Sequence, residues 1–226
     1  MTHLPCGPRS PQDRAVSSRR AVALLVAGVA LLGLAWALWP TRGAPPATTG
    51  APPATPTVVF LGDSITHGHR LPRNEAFPYR VGQALGVRAV NAGISGDTTD
   101  GGLRRIERDV LAQRPTLVVV GLGVNDALGQ RPREPVAQNL RAITQRIRAE
   151  GARVVLLHMA VPGVAGDGYR DDLREIARSE GATLVEDFLE GVVPAHTYDR
   201  LHPDEQGQAM LAERLLPVLR AALARP

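Results

Sequence analysis

Residues 57–66 read Thr57-Val58-Val59-Phe60-Leu61-Gly62-Asp63-Ser64-Ile65-Thr66. The first six form a short β-branched and aromatic run that ends in glycine, which reads as a strand. The pattern returns at Arg88–Gly93, Thr116–Gly121, Arg153–Ala160 and Ala182–Phe188. The third and fourth runs contain LVVVGLG and VVLLHMAV, continuous rather than alternating, which marks strands covered on both faces, as in a parallel sheet. Helical patterns lie between them. Glu75–Leu85 carries Pro78 in its first turn, and Thr98–Gln113 follows the capping residues Asp97 and Thr98. Pro135–Glu150 and Tyr169–Glu180 each stop at a glycine, and Pro203–Ala224 starts with proline and acids and ends with arginine. Five strand–helix units predict an α/β fold, a three-layer α/β/α doubly wound sandwich around a five-stranded parallel sheet. Ligands of such sheets bind beyond the carboxyl ends of the strands, so the residues that follow each strand carry the function.

Those residues form a chemical set. Gly62-Asp63-Ser64 follows the first strand, and Asn91-Ala92-Gly93-Ile94-Ser95-Gly96-Asp97 spans the end of the second. Gly123-Val124-Asn125-Asp126 follows the third, and Asp199-Arg200-Leu201-His202-Pro203 precedes the last helix. They supply a hydroxyl, backbone N–H donors, a carboxamide and a carboxylate–imidazole pair. Acyl transfer needs a nucleophile, a base, a group that orients the base, and donors for the oxyanion. Three residues apart on a turn, Asp199 reaches the nearer imidazole nitrogen of His202, and the other nitrogen is free to face Ser64.

The four blocks GDS, NAGISGD, GxND and DxxH, in this order, resemble the SGNH (GDSL-type) hydrolase family. VVFLGDSIT, LPRNEAFPYR and VNAGISGDTTDGGLRR are similar to its arylesterase/thioesterase I/lysophospholipase branch. The resemblance covers essentially all of residues 57–226. It implies a Ser64–His202–Asp199 triad and an oxyanion hole made by the Ser64 N–H, the Gly93 N–H and the Asn125 side chain. It also implies no metal and no other cofactor. The expected activity is hydrolysis of short- to medium-chain acyl esters, thioesters or lysophospholipids through an acyl-enzyme. A carbohydrate O-acetylesterase acting on cell-envelope polysaccharide is the competing enzyme, and a non-catalytic envelope binding module is the alternative of another class. Phe77, Tyr79 and the loop Pro162–Tyr169 are expected to wall the acyl pocket. Where this chain has Thr66-His67-Gly68-His69-Arg70, the branch often has a small residue and an aromatic, which bears on chain-length preference.

Other polar residues read more plainly. His67 and His69 lack a third convergent metal ligand and read as a solvent loop. His158, inside VVLLHMAV, reads as a buried, satisfied histidine. Asp63 and Asp126 read as braces of their own loops.

Ahead of this body lies a different kind of sequence. Residues 1–20 form a basic tail, and Ala21 to Trp39 is a run of 19 residues without a charge. At about 1.5 Å per residue, such a helix matches a hydrocarbon core of about 30 Å. Arg14, Arg19 and Arg20 precede the run and Trp36 and Trp39 close it, which predicts an anchor with its start in the cytoplasm. The catalytic body then faces the periplasm or the cell exterior. A cleaved signal peptide is the competing reading, although its apolar region is normally only about 7–15 residues. Residues 40–56 contain six prolines and a duplicated GAPPAT, a linker that reaches roughly 50 Å as polyproline II.

Composition removes other classes. The net charge of +4 suggests a nucleic-acid binder, but residues 1–56 hold five Arg against one acid. Residues 57–226 balance 21 Arg against 21 acids, so no basic domain remains to track phosphates. Nucleic acid is therefore not an expected partner, and the resemblance implies a small ester, lipid or acylated sugar instead. Every basic residue is Arg, which excludes a Walker A loop, a Schiff-base lysine and a Ser-Lys dyad. The single cysteine, Cys6, excludes an intrachain disulfide.

Overall fold

The structure, a computed structural model, describes residues 55–163 and 169–224. The expected basic tail, the apolar run 21–39 and the linker up to residue 54 lie outside the described residues. Among the described residues, no helix is long and apolar enough to cross a membrane.

Five strands form one sheet: β1 (Thr57–Gly62), β2 (Arg88–Gly93), β3 (Leu117–Gly121), β4 (Arg153–Leu157) and β5 (Thr183–Val185). All pairs are parallel, in the order β2-β1-β3-β4-β5. The order reverses beside β1, because β2 lies on one side and β3 on the other. Successive residues point to opposite faces, and on the central strands β1, β3 and β4 both faces are buried. Val58, Phe60, Leu117, Val119, Val155 and Leu157 pack with one set of helices, α2 (Phe77–Leu85) and α7 (Glu205–Ala224). Val59, Leu61, Val118, Val120, Val154 and Leu156 pack with the other set, α3 (Thr99–Asp109), α5 (Arg133–Ala149) and α6 (Arg170–Glu180). The continuous apolar runs are thus filled from both sides, and three layers result.

Element boundaries move for local reasons. The helix expected from Glu75 starts at Phe77, after a 3-10 turn at Arg73–Glu75 and an extended Ala76. The helix expected over Thr98–Gln113 breaks at Val110, and a 3-10 turn follows at Leu111–Gln113. The last helix starts two residues after Pro203, where the Asp204 carboxylate accepts from the Gly207 N–H at 2.8 Å. Two further short helices, α1 (Ser64–His67) and α4 (Val124–Leu128), follow the ends of β1 and β3.

A row of glycines ends the sheet at the switch point. Gly62 pairs in register with Gly93 on one side and Gly121 on the other. A β-carbon at Gly62 would lie 2.1 Å from Thr66 Oγ1, and one at Gly93 would lie 2.4 Å from the His67 backbone nitrogen. The single turn of α1 therefore rests directly on the backbones of β1 and β2, and a side chain at either position would lift it off.

Phe77 departs from its expected place on a pocket wall. It is fully buried, with its ring edge-on to Phe60 at 5.7 Å and to Phe188 at 5.6 Å. It packs in the core beneath the sheet, beside Val58, Val119 and Leu211. Phe77→Ala is expected to cost about 3–5 kcal/mol of unfolding free energy, the range for a buried aromatic truncation. Chemical denaturation of the variant beside the parent chain measures this.

Candidate active site

The site is built on α1. Asp63 is extended and caps the turn, its Oδ1 accepting from the Ile65 N–H at 2.9 Å. Gly68 adopts the left-handed conformation and ends the turn. Ser64 takes the first helical position and is nearly buried. Asp63 is 1% exposed, and its Oδ2 has no partner among the described residues. Burial, more than any other effect, pushes its carboxyl up to about 7, and the nearby Asp97 adds to this.

The imidazole arrives from the far end of the chain. The segment Thr197–Pro203 is closed by a bridge between its ends and by a Tyr198 N–H to His202 O bond of 3.0 Å. Within it, Asp199 Oδ1 accepts from the His202 N–H at 2.9 Å, and Asp199 Oδ2 lies 2.8 Å from His202 Nδ1. These two bonds, the backbone one first, pull the Asp199 carboxyl down to about 2. The carboxylate therefore remains ionised at any ordinary working pH. His202 Nε2 then faces Ser64 Oγ at 3.0 Å. The structure brings together these three residues as the spacing predicted.

Gly93 does not occupy its expected place. Its N–H donates to Asn91 Oδ1 at 2.9 Å, and its α-carbon face is filled by His67. It is a floor residue, and its one donor is already used. Gly96, three residues on, is exposed, in the left-handed conformation at φ 78°. The turn is closed by the Asp97 N–H donating to Ile94 O at 3.1 Å, and the Gly96 N–H has no partner among the described residues. The next carbonyl, that of Asp97, accepts from Asn125 Nδ2 at 2.8 Å. Asn125 thus stands on α4 beside this turn with its amide already aimed. The neighbouring Asp126 is a brace, as expected: its carboxylate accepts from the Thr99 N–H at 2.9 Å and the Thr99 hydroxyl at 3.0 Å.

Tyr79 is half-buried on α2, with the Arg73 guanidinium 5.5 Å above its ring. Of the loop Pro162–Tyr169, residues 164–168 lie outside the described residues. Pro162 and Gly163 line a cavity of about 550 Å³ together with Val161, Leu189, Val193, Arg170 and Asp187. His158 is fully buried, and its Nδ1 accepts from the Asp187 N–H at 3.2 Å, as its apolar setting implied.

Two residues at the site carry no sequence signal of their role. The His69 ring lies 4.4 Å from the His202 ring, and the His69 N–H donates to Ser64 O at 3.1 Å. Partial burial, and then the His202 ring, hold the His69 imidazole below its usual range. Gln208 is fully buried on α7; it donates to Ile65 O at 3.0 Å and accepts from the Phe77 N–H at 2.8 Å. It ties α7 to both α1 and α2.

A hydroxyl, an imidazole and an ionised carboxylate in this order are able to deliver a serine alkoxide to a carbonyl carbon. Comparison with known proteins points the same way. The model of the GDSL-like Lipase/Acylhydrolase family matches residues 60–210. Esterase TesA of Pseudomonas aeruginosa is 35% identical over 179 residues, which cover 74% of this chain and 89% of that protein. The crystal structure of TesA matches with a TM-score of 0.68 and covers 73% of this chain and 98% of its own. The thioesterase 1/protease 1/lysophospholipase L1 of Escherichia coli is 30% identical over 70% of this chain and 80% of its own. An acetylxylan esterase of Geobacillus stearothermophilus is 28% identical over 70% of this chain and 91% of its own.

The Asp63 shift has a stability consequence with a definite sign. The folded carboxyl holds its proton to about 7, whereas an unfolded aspartate loses it near 3.8. Between these values the folded state binds more protons, so unfolding free energy falls as pH rises from about 4 to about 7. Asp63→Asn is expected to remove this component, and urea titrations of parent and variant across that range measure the difference in slope.

Proposed function

The chain belongs to the GDSL-like lipase/acylhydrolase family and is a carboxylic ester hydrolase, and from that premise we propose that Ser64, His202 and Asp199 are its catalytic triad. The observation that carries the reading is the 3.0 Å contact between His202 Nε2 and Ser64 Oγ, with Asp199 on the other ring nitrogen. Ser64 Oγ attacks the acyl carbon as its proton passes to His202 Nε2. The carbonyl π electrons move to the oxygen, and a tetrahedral oxyanion forms. Asp199 holds the imidazole in register and stabilises its cationic form. The proton then moves to the leaving alkoxide or thiolate, and the acyl-enzyme remains. Water, deprotonated by the same imidazole, releases the acid and restores Ser64.

The oxyanion is held by the Ser64 N–H, the Gly96 N–H and Asn125 Nδ2. Gly96 replaces Gly93 in this role because its N–H is unspent and the loop carries it beside Asn125. Asn125 has two amide hydrogens, so the one on Asp97 O orients it and the other remains for the substrate.

The substrate is a short- to medium-chain acyl ester or thioester, or a lysophospholipid. The similarity to the E. coli thioesterase/lysophospholipase supports this range. The similarity to the acetylxylan esterase keeps a second reading open, an O-acetylesterase on envelope carbohydrate. The uncharged run 21–39, with arginines before it and tryptophans at its end, supports a membrane anchor that holds the enzyme outside the cytoplasm.

On p-nitrophenyl acetate, butyrate and octanoate, Ser64→Ala and His202→Ala are expected to lose at least about 10³-fold in kcat. Asn125→Ala is expected to lose about 10²–10³-fold, the effect of one oxyanion donor. Full rate in Ser64→Ala would overturn the triad. Turnover of acetylated xylan with none of octanoate would favour the carbohydrate reading. The anchor is tested by fractionation: full-length protein is expected in membranes that resist an alkaline carbonate wash, and a soluble mature chain shortened past residue 39 would overturn it.

A further inference from the structure

Arg105 lies on α3 at 8% exposure, whereas its neighbours Arg104 and Arg108 are solvent-facing. Its whole guanidinium fork is used. Nε donates to Asp97 Oδ2 at 2.7 Å. Nη1 donates to Ala92 O at 2.7 Å and to Asp109 Oδ2 at 3.3 Å. Nη2 donates to Gly62 O at 3.0 Å and is 2.7 Å from Asp97 Oδ2. Room for this cluster comes from Gly101, one turn earlier, where a β-carbon would fall 1.8 Å from Asp97 Oδ1.

The groups it grips belong to both halves of the proposed site. Gly62 O lies at the end of β1, two residues before Ser64. Ala92 O lies at the end of β2, where the oxyanion turn begins. Asp97 follows Gly96, and its own carbonyl orients Asn125. The β1–β2 ladder stops at the Gly62–Gly93 pair, and the guanidinium ties carbonyls at its end, Gly62 O and Ala92 O, to Asp97 beyond it. We propose that Arg105 is the positioning residue that sets the gap between the nucleophile and the oxyanion donors. The proposal rests on the assignment of Ser64, Gly96 and Asn125 above. Arg105 touches no substrate atom; it acts through two backbone carbonyls, Gly62 O and Ala92 O, and two carboxylates, Asp97 and Asp109. Lysine cannot take its place, since three donors on a point charge cannot span the same acceptors.

The test uses the full chain with Arg105→Lys, which keeps a cation beside the buried Asp97. Steady-state turnover of p-nitrophenyl butyrate is measured beside inactivation by diethyl p-nitrophenyl phosphate. In that inactivation a bond forms from Ser64 Oγ to phosphorus, p-nitrophenolate leaves with the bonding pair, and the serine proton passes to His202. A misplacement of about 1 Å costs on the order of 10²-fold, so kcat is expected to fall about 10- to 100-fold. KM is expected to stay within about threefold, and the inactivation rate should fall with kcat. Millimolar guanidinium added to Arg105→Ala should restore part of the lost kcat. A folded Arg105→Lys with kcat within about twofold of the parent overturns the proposal. If that variant fails to fold, Asp97→Asn combined with Arg105→Gln removes the charge pair together, and the same criterion applies to it. Failure of the underlying assignment looks different: Ser64→Ala would then still be phosphorylated, or the parent would not react at all.

Discussion

Three glycines side by side at the edge of the sheet are the constraint on which the rest depends. Gly62, Gly93 and Gly121 leave the ends of β1, β2 and β3 bare. Thr66 and His67 come down onto that bare backbone, which seats the turn carrying Ser64 at the switch point of the sheet. The crevice there opens beyond the carboxyl ends, where doubly wound sheets place their ligands. The position of Ser64 is thus set by the sheet itself, through contacts that a β-carbon at Gly62 or Gly93 would break.

Two carboxylates stand close to the nucleophile, and their surroundings push them in opposite directions. Asp63 is sealed beneath the turn with one oxygen unpartnered, and its carboxyl rises to about 7. Asp199 lies at the surface with two donors from His202, and its carboxyl falls to about 2. Only the second is able to hold a lasting negative charge against an imidazolium. The first serves as the cap of α1, a role that its neutral form also fills through Oδ1. The assignment of orienting group thus follows from burial and hydrogen bonding, and proximity in sequence to Ser64 would have misled.

Much of this was legible in the residues. β1 and β2 run over the residues the apolar patterns mark, because each pattern is bounded by glycine at its carboxyl end. The five-stranded parallel sheet followed from the unbroken runs in β3 and β4. The contact of Asp199 with His202 was legible because a carboxylate three residues before an imidazole on a turn reaches its nearer nitrogen. Other features were not. The helices at Ser64 and Val124 are shorter than two turns and leave no periodic signature. NAGISGD contains two glycines, and the sequence does not distinguish a glycine required by contact, Gly93, from one required by a left-handed turn, Gly96. Phe77 stands between Ala76 and Pro78, which say nothing of whether its ring turns inward. Arg105 is one of 26 arginines, and its difference is burial alone. His69 gains its meaning from a ring supplied by a segment more than a hundred residues away.

The reach of that contact has a temporal side. Ser64 and His202 are 138 residues apart in the chain, and Gln208, which holds Ile65, is 143 residues from it. A ribosome releases the nucleophile long before the base. Until the last helix docks, the serine hydroxyl has neither its proton acceptor nor the bond that steadies its turn. A nascent chain is therefore chemically silent, and hydrolytic power appears only with the completed fold. For a carboxylic ester hydrolase, this order of assembly withholds activity until synthesis of the chain is all but complete.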